Sequence, residues 1–184
     1  NNDFLAFIKR TTTFLSDVDT LHGITSTRCL TFFYNQGKST VPLERMSYCI
    51  DIVGNLIAHS YTAAHLICAD ENFVSLIQWL VRSGMPSEMQ KLGLSLLSCA
   101  AKGLQSSPVD SSLHASFSRA GLMLESLLSS NGEVLDIIFD FKYDPLIDLS
   151  LRVTCLLNLI VCGSHPSFRN AAKIVLRHSL CERR

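Results

Sequence analysis

Three prolines, Pro42, Pro86 and Pro145, each head a run in which apolar residues return every three or four positions. That spacing matches the turn of an α-helix, and proline suits a first helical turn, where its missing N–H leaves no bond unmade. In the first run Leu43, Met46, Cys49, Ile50, Val53, Leu56 and Ile57 form one side, and Glu44, Tyr48, Asp51 and Asn55 form a polar stripe on the other. The second runs through Met89, Leu92, Leu96, Leu97 and Ala100 and stops near Gly103; the third runs through Leu149, Val153, Leu156, Leu157 and Ile160. Shorter helical patterns cover about 62–68, 72–82, 111–117, 120–129 and 133–141, and a last one carries Phe168, Ala171, Ala172, Ile174 and Val175. Ahead of Pro42, Asp3 can cap a helix bearing Phe4, Leu5, Phe7 and Ile8, and a second pattern surrounds Cys29 to Phe33. Alternating β-branched runs are scarce and the one Asn-Gly pair, Asn131-Gly132, sits between helical patterns, so the expected class is all-α.

Composition narrows what such a helical chain can do. Its 184 residues carry 16 basic and 16 acidic side chains, so the formal net charge is zero. A general nucleic-acid binder needs surplus cations to meet phosphates, which argues against that class. Hydrophobic residues make up 47% and charged ones 17%, too apolar for a disordered chain. Mean hydropathy is +0.25, yet no apolar stretch reaches the roughly 18 residues of a membrane span. The seven cysteines include no CxxC pair and lie within apolar runs, the pattern of reduced thiols used as small core residues. The N-terminus shows neither a signal-peptide pattern nor an initiator Met. Together these predict one domain, a fragment of a longer cytoplasmic or nuclear protein.

The proline-led helices also end alike, in Val53-Gly54-Asn55-Leu56-Ile57, Leu97-Ser98-Cys99-Ala100-Ala101 and Leu157-Asn158-Leu159-Ile160. Aligning Asn55, Cys99 and Asn158 gives steps of 44 and 59 residues. The first step suits a three-helix repeat with a period of roughly 40–47, and the longer second one places an insertion at the Ser-rich stretch 105–112 and the helix after it. Ala63-Ala64-His65-Leu66-Ile67 echoes Ala171-Ala172-Lys173-Ile174-Val175, and residues 73–80 echo residues 121–128. On these residues the chain resembles the armadillo repeat family, with the HEAT repeats its near neighbour. The resemblance covers about Pro42 to His178 and implies a right-handed α-solenoid of about three repeats over 42–184. Residues 1–41 would then form an N-terminal cap or partial repeat covering the first core face.

What the resemblance implies about function is a protein-protein interaction scaffold or adaptor that receives a peptide or helix of a partner. In the family an asparagine near the end of the long helix bonds the peptide backbone, and Asn55 and Asn158 match it, with Cys99 in the middle unit. A side-chain amide offers a donor and an acceptor, the complement of a peptide unit; equally, both amides could bond neighbouring carbonyls. Import carriers of the family place a tryptophan one turn earlier; Asp51, Ser95 and Thr154 stand there, so recognition of nuclear localisation signals is not implied. Tyr48, Asp51, Lys91, Ser95, Lys102 and Thr154 complete the candidate partner-binding set, and a groove they lined would be mixed in sign, selecting a peptide with charges in register. The alternative is an architectural module that packs against another subunit through exposed apolar ends.

Motifs of chemistry are missing: there is no phosphate loop, GxGxxG, HExxH or GxSxG pattern. No enzymatic activity, cofactor, metal or small-molecule substrate is therefore expected. His59 and His65 read as loop and surface residues. Asp136, Asp140, Asp144 and Asp148 read as caps and first-turn acids that favour positive helix ends.

Overall fold

The computed structural model describes residues 43–82, 84–105, 114–129, 133–139 and 149–181. Within them lie eight α-helices and no strand: α1 (Leu43–His59), α2 (Tyr61–Cys68), α3 (Glu71–Leu80), α4 (Ser87–Gln105), α5 (His114–Ser129), α6 (Glu133–Phe139), α7 (Leu149–Cys162) and α8 (Arg169–Cys181). The expected N-terminal cap over 1–41, the leading positions Pro42 and Pro145, and Asp140, Asp144 and Asp148 fall outside the described residues.

Local chemistry accounts for the boundaries. Ser60 caps α2, its hydroxyl accepting from the Ala63 amide at 3.3 Å, as N-capping requires. Pro86 stands just before α4 and its carbonyl accepts from the Met89 and Gln90 amides, closing the first turn. Gly84 turns the chain between α3 and α4 at φ 84°, a left-handed conformation that costs glycine little. Three boundaries differ from the sequence expectation. Residues 114–129 form one helix rather than two, because Ser118 and Arg119 carry no breaker. Helix α4 runs past Gly103 to Gln105, and a tight turn, Pro166–Phe168, precedes α8.

The long helices pack in sequence, α1 on α4 and α4 on α7; α2, α5 and α8 pack in sequence as well. Helix α4 also rests on α2 and α3. The core between these helices is aliphatic: Ile57, Ile77, Leu80, Leu94, Leu97, Leu124 and Leu159 are almost wholly enclosed, with Phe73 and Phe168 the largest rings. Trp79 is half-buried against this core.

Gly103 shows why α4 can sit so deep. A Cβ built there would collide with the Ile57 carbonyl oxygen of α1 and come within 2.8 Å of Ala64 Cβ on α2. Near the same seam, a Cβ on Gly54 of α1 would stand 3.3 Å from Cys99 Sγ of α4. Two contacts advancing together along both chains, 54 with 99 and 57 with 103, make α1 and α4 parallel. Gly103→Ala is accordingly expected to lower unfolding free energy by about 1–3 kcal/mol, the range of overpacked cores. Gly54→Ala should cost less, because the Cys99 side chain can shift. Denaturant titration of both variants measures the difference.

Candidate partner-binding surface

The seam between α4 and α7 holds a polar cluster inside an otherwise apolar contact. Asn158 Nδ2 donates to Ser98 Oγ at 3.0 Å and to the Ser98 carbonyl at 3.3 Å. Gln105 Nε2 donates to Asn158 Oδ1 at 3.0 Å and to its carbonyl at 3.2 Å. The Asn158 amide is thus engaged by α4, the second of the two roles open to it from the sequence. Ser98 is buried in this seam.

This cluster occupies the same register as the contact between α1 and α4. Position 54 of α1 meets position 99 of α4, and position 98 of α4 meets position 158 of α7. Gly54, Ser98 and Leu157 are equivalent under the alignment of Asn55, Cys99 and Asn158. Both seams therefore use the same two positions.

The remaining candidates divide by exposure. Asp51 and Asn55 of α1, Lys102 of α4 and Thr154 of α7 are exposed; Lys91 and Ser95 are half-buried. The Tyr48 side chain falls outside the described residues. The outward positions carry an acid on α1, a lysine on α4 and a hydroxyl on α7.

A second cluster, not read from the sequence, joins α2, α5 and the turn at Pro166. Phe168 is wholly enclosed, with the rings of His65 and His165 at 5.6 and 5.3 Å from it. His165 Nδ1 accepts from the Ser167 amide at 3.2 Å, capping the turn. A Cβ on Gly121 of α5 would collide with the Ser167 carbonyl, so α5 presses directly on that turn. His65 is buried and not a surface residue as expected: it sits between Ala64 and Ile67 on the inner face of α2. Burial, and secondarily the neighbouring His165, lowers its pKa from 6.5 to about 3. His59 is exposed. Asp136 lies in the first turn of α6, as expected, and its Oδ1 is 3.4 Å from His178 Nε2 on α8.

The described thiols are free, with Cys68, Cys155 and Cys162 buried and Cys99 half-buried. Burial pushes Cys155 and Cys162 up to about 12 and raises Cys68 and Cys99 as well. At neutral pH these groups remain thiols and serve as small packing residues. Among the described residues no group of three or more side chains could hold a metal ion, and no helix is long and apolar enough to cross a membrane. No family model, curated protein or solved structure matches the chain.

Two stability predictions follow from the clusters. Asn158→Ala should cost about 1–3 kcal/mol, because it leaves Ser98 Oγ and Gln105 Nε2 without partners in the seam. Circular dichroism melts of Asn158→Ala and Gln105→Ala check this, with the smaller loss expected for Gln105. His65 binds a proton in the unfolded chain below about pH 6.5 but in the folded chain only near pH 3. Stability should therefore fall as pH drops through that window, by at most about 1.4 kcal/mol per unit from this group. Urea titrations at several pH values should give a flatter profile for His65→Gln.

Proposed function

We propose that the chain is a protein-protein interaction module of armadillo type, a right-handed solenoid of about three repeats within an intracellular scaffold or adaptor. The observation that carries this reading is the repeated seam register, position 54 on 99 and then 98 on 158. Helices stacked in one register turn equivalent positions the same way, so a row of outward side chains can meet an extended peptide or a partner helix. In this reading Asn158 fixes the row, while Asp51, Asn55, Lys91, Ser95, Lys102 and Thr154 address the partner. Their mixed charge favours a segment with its own charges in register over a generic polyanion. Buried thiols held protonated suit a reducing compartment, the cytoplasm or nucleus.

A second reading, an assembly module packing against another subunit, is favoured by the exposed leucines and valines of α7. Leu149, Val153, Leu157 and Val161 recur every four residues along its outer side and are between 40% and 58% exposed.

The first reading is tested by affinity purification on the intact chain, followed by mapping of the bound segment and titration with it. The double variant Asp51→Arg, Asn55→Ala should weaken binding by about tenfold or more with folding intact. Unchanged affinity would remove the outward row from the binding surface.

A further inference from the structure

The head of α8 rests on a cap that only an uncharged imidazole can supply. His165 precedes the Pro166–Phe168 turn, which runs directly into α8. Its Nδ1 accepts the Ser167 N–H at 3.2 Å, and its carbonyl accepts the Phe168 N–H at 3.1 Å. A proton on Nδ1 removes that acceptor and sets a positive charge at the positive end of a helix. The first turn of α8 carries no acid and begins with Arg169, so the helix itself supplies no counter-charge.

The same turn covers a second imidazole. Phe168 is wholly enclosed, 5.6 Å from the ring of His65, which is itself only 2% exposed. His165, 7% exposed, lies 5.3 Å from the same phenyl ring. A Cβ on Gly121 would collide with the Ser167 carbonyl, so α5 meets the turn backbone directly. The two histidines thus share one enclosed ring, and a charge on either disfavours a charge on the other.

Other titratable groups around the pair are few. The buried residues of α4 are uncharged, and burial keeps Cys68 of α2 and Cys162 of α7 as thiols. On α5, Glu125 accepts from Asn170 at 3.4 Å, and Arg119 pairs with Glu71 of α3 at 3.6 Å. Farther along α8, His178 stands 3.4 Å from Asp136 of α6, a pair that a proton tightens rather than opens. An acid-driven release therefore begins at the head of α8.

We propose that His165 and His65 form an acid-operated latch: protonation of His165 withdraws the cap, the Pro166–Phe168 turn lifts away from α2 and α5, and α8 leaves the stack while the helices around α4 stay folded. Helix α8 packs chiefly on α5 and α7, whereas α7 is also held by α4, so α8 can open as a local unit. Opening takes up two protons. While Phe168 is seated, His65 stays neutral down to about pH 3; once the ring leaves, water reaches His65 and its ordinary value of 6.5 returns. Two coupled uptakes make the response steep. The latch stands independently of either reading of the binding surface.

Hydrogen–deuterium exchange of the full chain, read by mass spectrometry and divided by the intrinsic rate at each pH, follows residues 166–181 separately from 92–104. From pH 6 to pH 5, above the carboxylate range, the opening constant of 166–181 should rise about 60-fold for two imidazoles taken up together, and about eightfold for one. His165→Asn keeps an acceptor that does not titrate; it should leave α8 closed at pH 7 and show only the smaller rise. His65→Gln should show the smaller rise as well, and the double variant none. His165→Ser and His65→Leu give the same readouts should a first variant fail to fold. An eightfold rise in the unaltered chain, a 60-fold rise in His165→Asn, or exchange at 166–181 that increases only in step with 92–104 would overturn the proposal.

Discussion

Helix α4 comes closest to α1 and α2 at a residue that has no side chain. Gly103 lets its backbone meet the Ile57 carbonyl, and the short Ala64 on α2 leaves room for the same approach. Four contacts on one helix bury most of its circumference, which explains why Leu94, Leu96, Leu97, Ala100, Ala101 and Leu104 are all enclosed. An amphipathic helix with a single apolar stripe would leave its other side to water. Here the exposed share of α4 shrinks to a few positions such as Glu88 and Lys102. The central helix is therefore the element on which the others are registered, and its outward residues are few enough to be set by packing.

Much of this arrangement is legible in the residues, for identifiable reasons. The three long helices show because their apolar spacing persists over several turns, and at α4 because Pro86 stands just before its first turn. The equivalence of their ends shows because the short motifs around Asn55, Cys99 and Asn158 share a pattern. Gly103 misleads, since glycine reads locally as a stop and its use here depends on a helix more than forty residues earlier in the chain. His65 misleads for a similar reason. Its type suggests solvent, but the Phe168 ring that shelters it comes from a turn about a hundred residues away. Close approaches and buried polar side chains are properties of pairs, which single-residue chemistry does not reveal.

Of the candidate binding residues, spacing locates the outward ones, Asp51, Asn55, Lys102 and Thr154, because exposure follows the helical period. It cannot separate Asn55 from Asn158, which have the same local sequence role and different surroundings. Asn158 has a helix with a serine beside it and closes on that serine. Asn55 stands at the equivalent position of α1, where no described helix precedes it, and is exposed. The same amide is bonded within the stack and exposed at its edge, and the difference is made by the neighbour rather than by the residue.

The polar bonds at the α4–α7 seam also answer a problem that aliphatic packing alone leaves open. Leucines and valines repeated every three or four residues fit one another nearly as well after a slip of one turn, since dispersion and hydrophobic burial are not directional. A slip here would pull the Asn158 amide from both Ser98 acceptors and leave Gln105 without its two oxygens, in a part-buried site where unmade bonds are costly. The α1–α4 seam lacks such a bolt at the matching position: Cys99 faces Gly54, a contact of shape alone. It is held in register instead by the Gly103 approach, which no longer side chain would permit. Two devices, one chemical and one steric, thus fix successive steps of the same stack.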